Sequence, residues 1–222
     1  MSVSFSYTEI DSDTQTDGQR FYHTKSGNYP SITTILGQTA DKTAIYKWQK
    51  KVGLEEANRI RDESAARGKA VHKLLEDHFA GKEVDYSKST QEEIQMARTL
   101  RLTYESSITK IYGQEVCLYS NELKFAGRCD MVGEWDGQLA IIDFKTSRKL
   151  KKQQWIRDYY LQTLAYGLAH DEMFGTNIKL GVVLITVEDE LPQCFVVDFV
   201  KEAWMYEELG KRIITYHRGM KK

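Results

Sequence analysis

Asp130, Asp143 and Lys145 stand on two strand-like runs, Phe125 to Trp135 and Gln138 to Lys145, joined by Asp136-Gly137. An Asp-Gly pair tolerates the positive φ of a two-residue type I′ turn, so the runs read as the arms of a tight hairpin. With that turn Trp135 faces Gln138, and counting back sets Asp130 opposite Asp143. Lys145, two residues further on, points to the same side because strand side chains alternate. Cβ atoms directly across an antiparallel pair lie about 4.5–5.5 Å apart, and like charges there repel. Two carboxylates placed so close ask for a cation between them. A divalent metal on oxygen ligands, with a lysine beside it, is the equipment for hydrolysing a phosphodiester. The plainer alternative is a solvated acidic face. Against it, Asp143 lies inside Leu139 to Phe144, an apolar run that reads as buried on both sides. A carboxylate there is costly unless paired or metal-bound.

Other residues with chemistry lie further off in sequence. His72 closes Arg67-Gly-Lys-Ala-Val-His72, with Gly68 one turn earlier on the same face, where a glycine would let the helix approach another backbone closely. Taken alone, that histidine reads as a core or surface residue rather than a ligand. Glu115 opens the strand before the hairpin and is equally a third carboxylate or an exposed strand glutamate. Gln162 and Tyr166 are helical neighbours, and Trp155 and Tyr159 extend their face as core aromatics. Arg148, Lys149, Lys151 and Lys152 form a basic cluster one loop from Lys145; it is a solvated helix end or a grip on phosphates. Between Lys42 and Lys51, Tyr46 and Trp48 alternate with lysines, a pattern suited to stacking bases and pairing phosphates of a single strand.

The elements that must position these groups follow from periodicity. Residues up to about Gly27 are polar, a loose arm or edge strands. Ser31 is a fitting N-cap for a helix carrying Ile32, Ile35 and Leu36. A short helix over 43–52 and a long one from Leu54 to Phe79 come next, the latter with Ala66, Ala70 and Leu74 on its buried stripe. A charged helix over 90–106, strands at 114–120, 124–134 and 138–145, a helix over 151–170, strands at 179–187 and 193–199, and a helix over 202–216 complete the chain. Helices leading into an antiparallel meander, then helix and strand again, define an α/β domain with helices on both faces of a central mixed sheet. The expected division is an arm over 1–28 and one domain over 29–222.

Composition narrows the classes. The 222 residues suit one domain with a substantial core, and a net charge of −1 gives no general basic footprint for nucleic acid. That leaves local charge free to act. No apolar run approaches a membrane span, and Glu9, Asp11, Asp13 and Asp17 speak against a signal or transit peptide, so a cytoplasmic protein is expected. Three scattered cysteines, Cys117, Cys129 and Cys194, read as reduced thiols without a disulfide frame, zinc site or iron–sulfur cluster. No phosphate-binding glycine loop followed by Lys-Ser/Thr is present, so no nucleotide cofactor is expected.

Four segments in order carry a resemblance: Arg67 to His72, Gly127-Arg-Cys-Asp130, Asp143-Phe-Lys145 and Leu161-Gln-Thr-Leu-Ala-Tyr166, supported by Tyr29 to Leu36. Over roughly 29–204 the chain resembles the RecB-like branch of the PD-(D/E)XK nuclease superfamily, and within it the mitochondrial genome maintenance exonuclease group with its phage and bacterial relatives. The resemblance implies a restriction-endonuclease-like core with an N-terminal helical region, acting as a metal-dependent deoxyribonuclease with Mg2+ or Mn2+. Asp130, Asp143, the Phe144 carbonyl, His72 and, less directly, Glu115 would be its metal ligands. Asp130, Asp143 and Lys145 would be the catalytic set, with Lys145 positioning the attacking water. Gln162, Tyr166, Arg148, Lys149, Lys151, Lys152, Ser31 and Thr33 would serve DNA binding, Gln162 and Tyr166 by orienting the backbone or the lysine. The proline that names the superfamily is Cys129 here. The expected activity is exonucleolytic, on single-stranded DNA ends, in a phage or bacterial replication, recombination or repair setting. A double-strand- or structure-specific nuclease of the same fold and a catalytically silent DNA-binding module are the rivals.

Overall fold

Asp136 and Gly137 take φ values of 48° and 80°, the two positive angles of a type I′ turn. They join β5 (Phe125–Trp135) to β6 (Gln138–Ser147), with Trp135 opposite Gln138 and Met131 opposite Ile142, so the register is the expected one. The ladder stops there, one step short of Asp130 and Asp143. The computed structural model describes residues 4–220. Its main sheet has the order β4-β5-β6-β7-β8, with β4 (Ile108–Ser120), β7 (Leu180–Val187) and β8 (Gln193–Asp198) completing it. Within this sheet β6 and β7 pair in parallel and the other neighbours antiparallel, and the connection that parallel pairing demands is helix α5, Arg157–Phe174.

Ahead of the sheet come α1 (Ile32–Thr39), α2 (Thr43–Val52), α3 (Leu54–Phe79) and α4 (Gln91–Tyr104); α6 (Trp204–Gly219) closes the chain. Ser31 caps α1 by accepting the Thr34 N–H, and Thr90 with Glu93 forms a capping box on α4. The polar segment before α1 folds into a small antiparallel sheet, β1 (Ser12–Thr14), β2 (Arg20–Thr24) and β3 (Gly27–Pro30). One core packs Ile141, Val183 and Ile185 against Leu161, Leu164 and Ala165 of α5. A second packs Ile142, Phe144 and Leu184 against Val71, Leu74 and Leu75 of α3 and Met96 and Leu100 of α4. The apolar run in β6 is thus buried on both faces because helices cover both.

Two boundaries and one stripe differ from the sequence expectation. Strand β4 begins at Ile108 rather than 114, so Glu115 lies inside it instead of opening it. The helix after the basic cluster begins at Arg157 rather than 151. The Lys151 backbone is tied in both directions to the Gln193 side chain, and a single 3-10 turn over Gln153–Trp155 follows. Trp155 therefore precedes the helix and lies 59% exposed, with the Lys152 ammonium over its ring, instead of in the core. On α3 the buried positions are Ala57, Arg67, Val71, Leu74 and Leu75, while Ala66 is exposed and Ala70 half-buried. A hydrophobic periodicity cannot register an arginine within a buried stripe, so Ala66 and Ala70 fall one residue short of the buried Arg67 and Val71, while Leu74 is buried as expected. Gly68 is also less confined than expected, since a Cβ there would stand 3.7 Å from Thr146 Oγ1, an ordinary contact.

His170 on α5 is fully buried and satisfied at both nitrogens. The Thr176 hydroxyl donates to Asp171, so it accepts from His170 Nδ1–H, and Nε2 accepts from the Tyr7 hydroxyl. Burial holds this imidazole down at about 4. Below the ordinary value of 6.5 the unfolded chain binds a proton that the fold refuses, so stability falls as pH drops from about 6.5 to about 4. That difference is worth up to about 3 kcal/mol. His170→Gln is expected to be less stable than wild type at pH 7, with the gap narrowing toward pH 4.5 in denaturant melts. A gap of constant size would show that His170 carries no such linkage.

Candidate active site

Where the β5–β6 ladder ends, side chains take over. Asp130 Oδ2 accepts the Phe144 N–H at 2.8 Å, so a carboxylate substitutes for the next strand contact. Across β4, Glu115 lies between the pairs Gln114–Met131 and Val116–Cys129, which sets it opposite Asp130. Its backbone is left-handed, with φ 51°. A non-glycine residue there costs about 1–2 kcal/mol, the kind of strain that collects at functional sites. Burial raises the Glu115 carboxyl above its ordinary range, and Asp130 adds to the rise.

Helix α3 brings His72 over this corner. The Phe144 carbonyl can only accept, so His72 Nε2–H donates to it at 2.8 Å. In the neutral ring Nδ1 then carries the lone pair, 3.7 Å from Asp130 Oδ2. Two acceptors facing each other leave a place for a cation. Donor atoms of His72, Glu115 and Asp130 lie within 4.8 Å of one another.

Asp143 stands beside this trio, 1% exposed, and forms an ion pair with Lys145. Neither of its oxygens is met by a donor in hydrogen-bond geometry. Burial raises the Asp143 carboxyl; Lys145 opposes that and Asp130 reinforces it. Burial pulls the Lys145 ammonium down, but Asp143 and Asp130 outweigh it and leave the lysine above its ordinary range. The Tyr159 ring lies 5.3 Å from the ammonium, a cation–π contact. The sequence pattern alone puts Tyr159 in the core; its helical spacing from Gln162 and Tyr166 is the signal that ties it to the site.

Gln162 and Tyr166 are both buried, 8% and 2% exposed, and the Tyr166 ring lies against β5. A Cβ on Gly127 would fall 2.8 Å from the Tyr166 ring, so the glycine is what lets that ring lie against β5. Arg148 is held by Glu63 at 2.9 Å and Glu188 at 3.7 Å, whereas Lys149 and Lys152 are exposed and Lys151 partly so. Ser31 and Thr33 hydrogen-bond each other at 3.0 Å and line a polar recess with Arg20, Thr34, Gln38 and Lys42.

The profile of the PD-(D/E)XK nuclease superfamily matches residues 89–211, more than half of the chain. The chain belongs to that superfamily. Among curated proteins it is similar to mitochondrial genome maintenance exonuclease 1 of Xenopus tropicalis, 30% identical over 185 residues covering 77% of this chain and 52% of the relative. The Mus musculus protein of that name is 29% identical over 181 residues, covering 73% and 51%, and the Homo sapiens one 26% over 175, covering 73% and 50%. The chain spans about half the length of these relatives. Among the described residues no helix is long and apolar enough to cross a membrane.

Proposed function

We propose that the chain is a divalent-metal-dependent DNA exonuclease that works from single-stranded ends. The observation that carries this reading is the convergence of His72, Glu115 and Asp130 beside the buried Asp143–Lys145 pair. Two carboxylates and one imidazole suit Mg2+ or Mn2+, the nitrogen favouring Mn2+. The unmet Asp143 oxygens and the His72 lone pair facing Asp130 are the kind of deficit that a cation makes good. His72, Glu115 and Asp130 would hold the ion, with Asp143 and the Phe144 carbonyl adjoining. Bound there, a divalent ion supplies phosphate polarisation and a water of lowered pKa.

The remaining work falls to the chain itself. Asp143 and Asp130 keep Lys145 charged, and the Tyr159 face steadies it, so the ammonium is fixed before substrate arrives. A fixed donor orients the attacking water and meets negative charge as it develops on phosphorus, without reorganisation at the moment of reaction. Gln162 and Tyr166, buried on α5, would orient the nucleic-acid backbone or the catalytic lysine from beneath the site. With Arg148 spoken for by two glutamates, Lys149, Lys151 and Lys152 are the cluster's cations available to DNA phosphates.

End-labelled single- and double-stranded oligonucleotides, with Mg2+, Mn2+ or chelator, test the reading. Short products from single-stranded ends, released only with metal, are expected. Faster cutting of duplex ends would reverse the strand preference, and cutting of circular single strands would remove the exonucleolytic mode. DNA binding without cleavage under any metal would leave a silent module.

A further inference from the structure

Arg67 is 7% exposed on α3, and its Nε is sealed from solvent without a hydrogen-bond partner. Among the described residues no acceptor or carboxylate engages its two terminal nitrogens either. These are not sealed, so the guanidinium tip meets solvent at the end of a buried stem. The acid one turn earlier, Glu63, is the ordinary helical partner for such an arginine. It is already taken by Arg59 at 2.5 Å and Arg148 at 2.9 Å. A guanidinium with a sealed Nε and no counter-charge is costly, and its persistence calls for an anion at the solvent-facing tip that none of the described residues provides.

Its place in the fold says which anion. Helix α3 runs along β6 in the opposite sense: His72 lies at Phe144, Gly68 over Thr146, and Glu63 at Arg148. Arg67 is therefore level with Thr146 and Ser147, between the donor trio and the basic segment from Arg148 to Lys152. Five helical residues put it about 7.5 Å along the axis from His72. That is the scale of one nucleotide step in an extended strand. We propose that Arg67 receives a backbone phosphate of the DNA strand, neighbouring the phosphate being cut. The inference rests on the nuclease reading. A planar guanidinium fork matches two phosphate oxygens, which a lysine cannot reproduce.

Binding of single-stranded oligothymidylate in chelator, over a salt series, tests this without turnover. For Arg67→Met, affinity is expected to fall about tenfold or more, as for a lost hydrogen bond to a charged group. The slope of log affinity against log salt is expected to become shallower by about 0.7, one phosphate contact. The melting temperature of Arg67→Met is expected to hold or rise, because an apolar side chain replaces an unpaired buried charge. Arg67→Lys is expected to restore the slope but only part of the affinity. Wild-type affinity and slope in Arg67→Met would overturn the proposal, and so would a loss of affinity at unchanged slope, the mark of disturbed packing. Should Arg67→Met fail to fold, Arg67→Lys decides: affinity equal to wild type would overturn the bidentate contact. A wild-type protein that binds no oligothymidylate would instead overturn the single-strand reading on which the proposal rests.

Discussion

Asp130→Asn is expected to abolish cleavage while leaving DNA binding in place. Asparagine keeps an oxygen for the Phe144 N–H, so the strand junction survives, but the charge facing His72 and Glu115 is gone. Asp143→Asn is expected to do the same from the other side of the site. Each loss is expected to reach about a thousandfold in kcat or more, the scale seen when a group that acts on the transition state is removed. A second readout needs no turnover. Mn2+ at a hundred times its Kd stabilises a protein that binds it only when folded by about 2.7 kcal/mol. Wild type is expected to show that rise in thermal melts, and Asp130→Asn to lack most of it. Wild-type turnover in either variant would remove the carboxylates from the site.

Lys145→Met is the complementary case. Lys145 is a donor and not a ligand, so Mn2+ stabilisation is expected to survive while cleavage falls by about a hundredfold or more. Asp143 then loses its ion-pair partner at a position 1% exposed, and the metal-free protein is expected to melt lower by the equivalent of about 3 kcal/mol. Calorimetric titration with Mn2+ alongside a cleavage assay separates the roles. Retained cleavage with lost metal binding would contradict both.

The hairpin was legible in the sequence because its signals are local. Asp136-Gly137 admits one two-residue turn, and that turn fixes the register all the way to Met131 and Ile142. The mixed sheet followed from the alternation of strand and helix patterns. His72 was different: nothing in its own segment distinguished it from a packed histidine, and only the ordered resemblance placed it near Asp130. The features that escaped depend on tertiary context. The left-handed backbone at Glu115 has no glycine or asparagine to announce it. Arg67 is buried although an apolar periodicity has no place for a charge, and the Tyr159 ring under Lys145 reads from its spacing as core. In each case a residue type common on one kind of surface is used on another.

Glu115 carries a last consequence. Glycine would sit at ease in its left-handed backbone, and asparagine nearly so. Either would relax the strand and in the same step delete the carboxylate that faces Asp130. Folding and donor chemistry therefore pull on position 115 in opposite directions. Variants recovered for thermal stability alone would be drawn to that codon, and those recovered for cleavage would be driven from it.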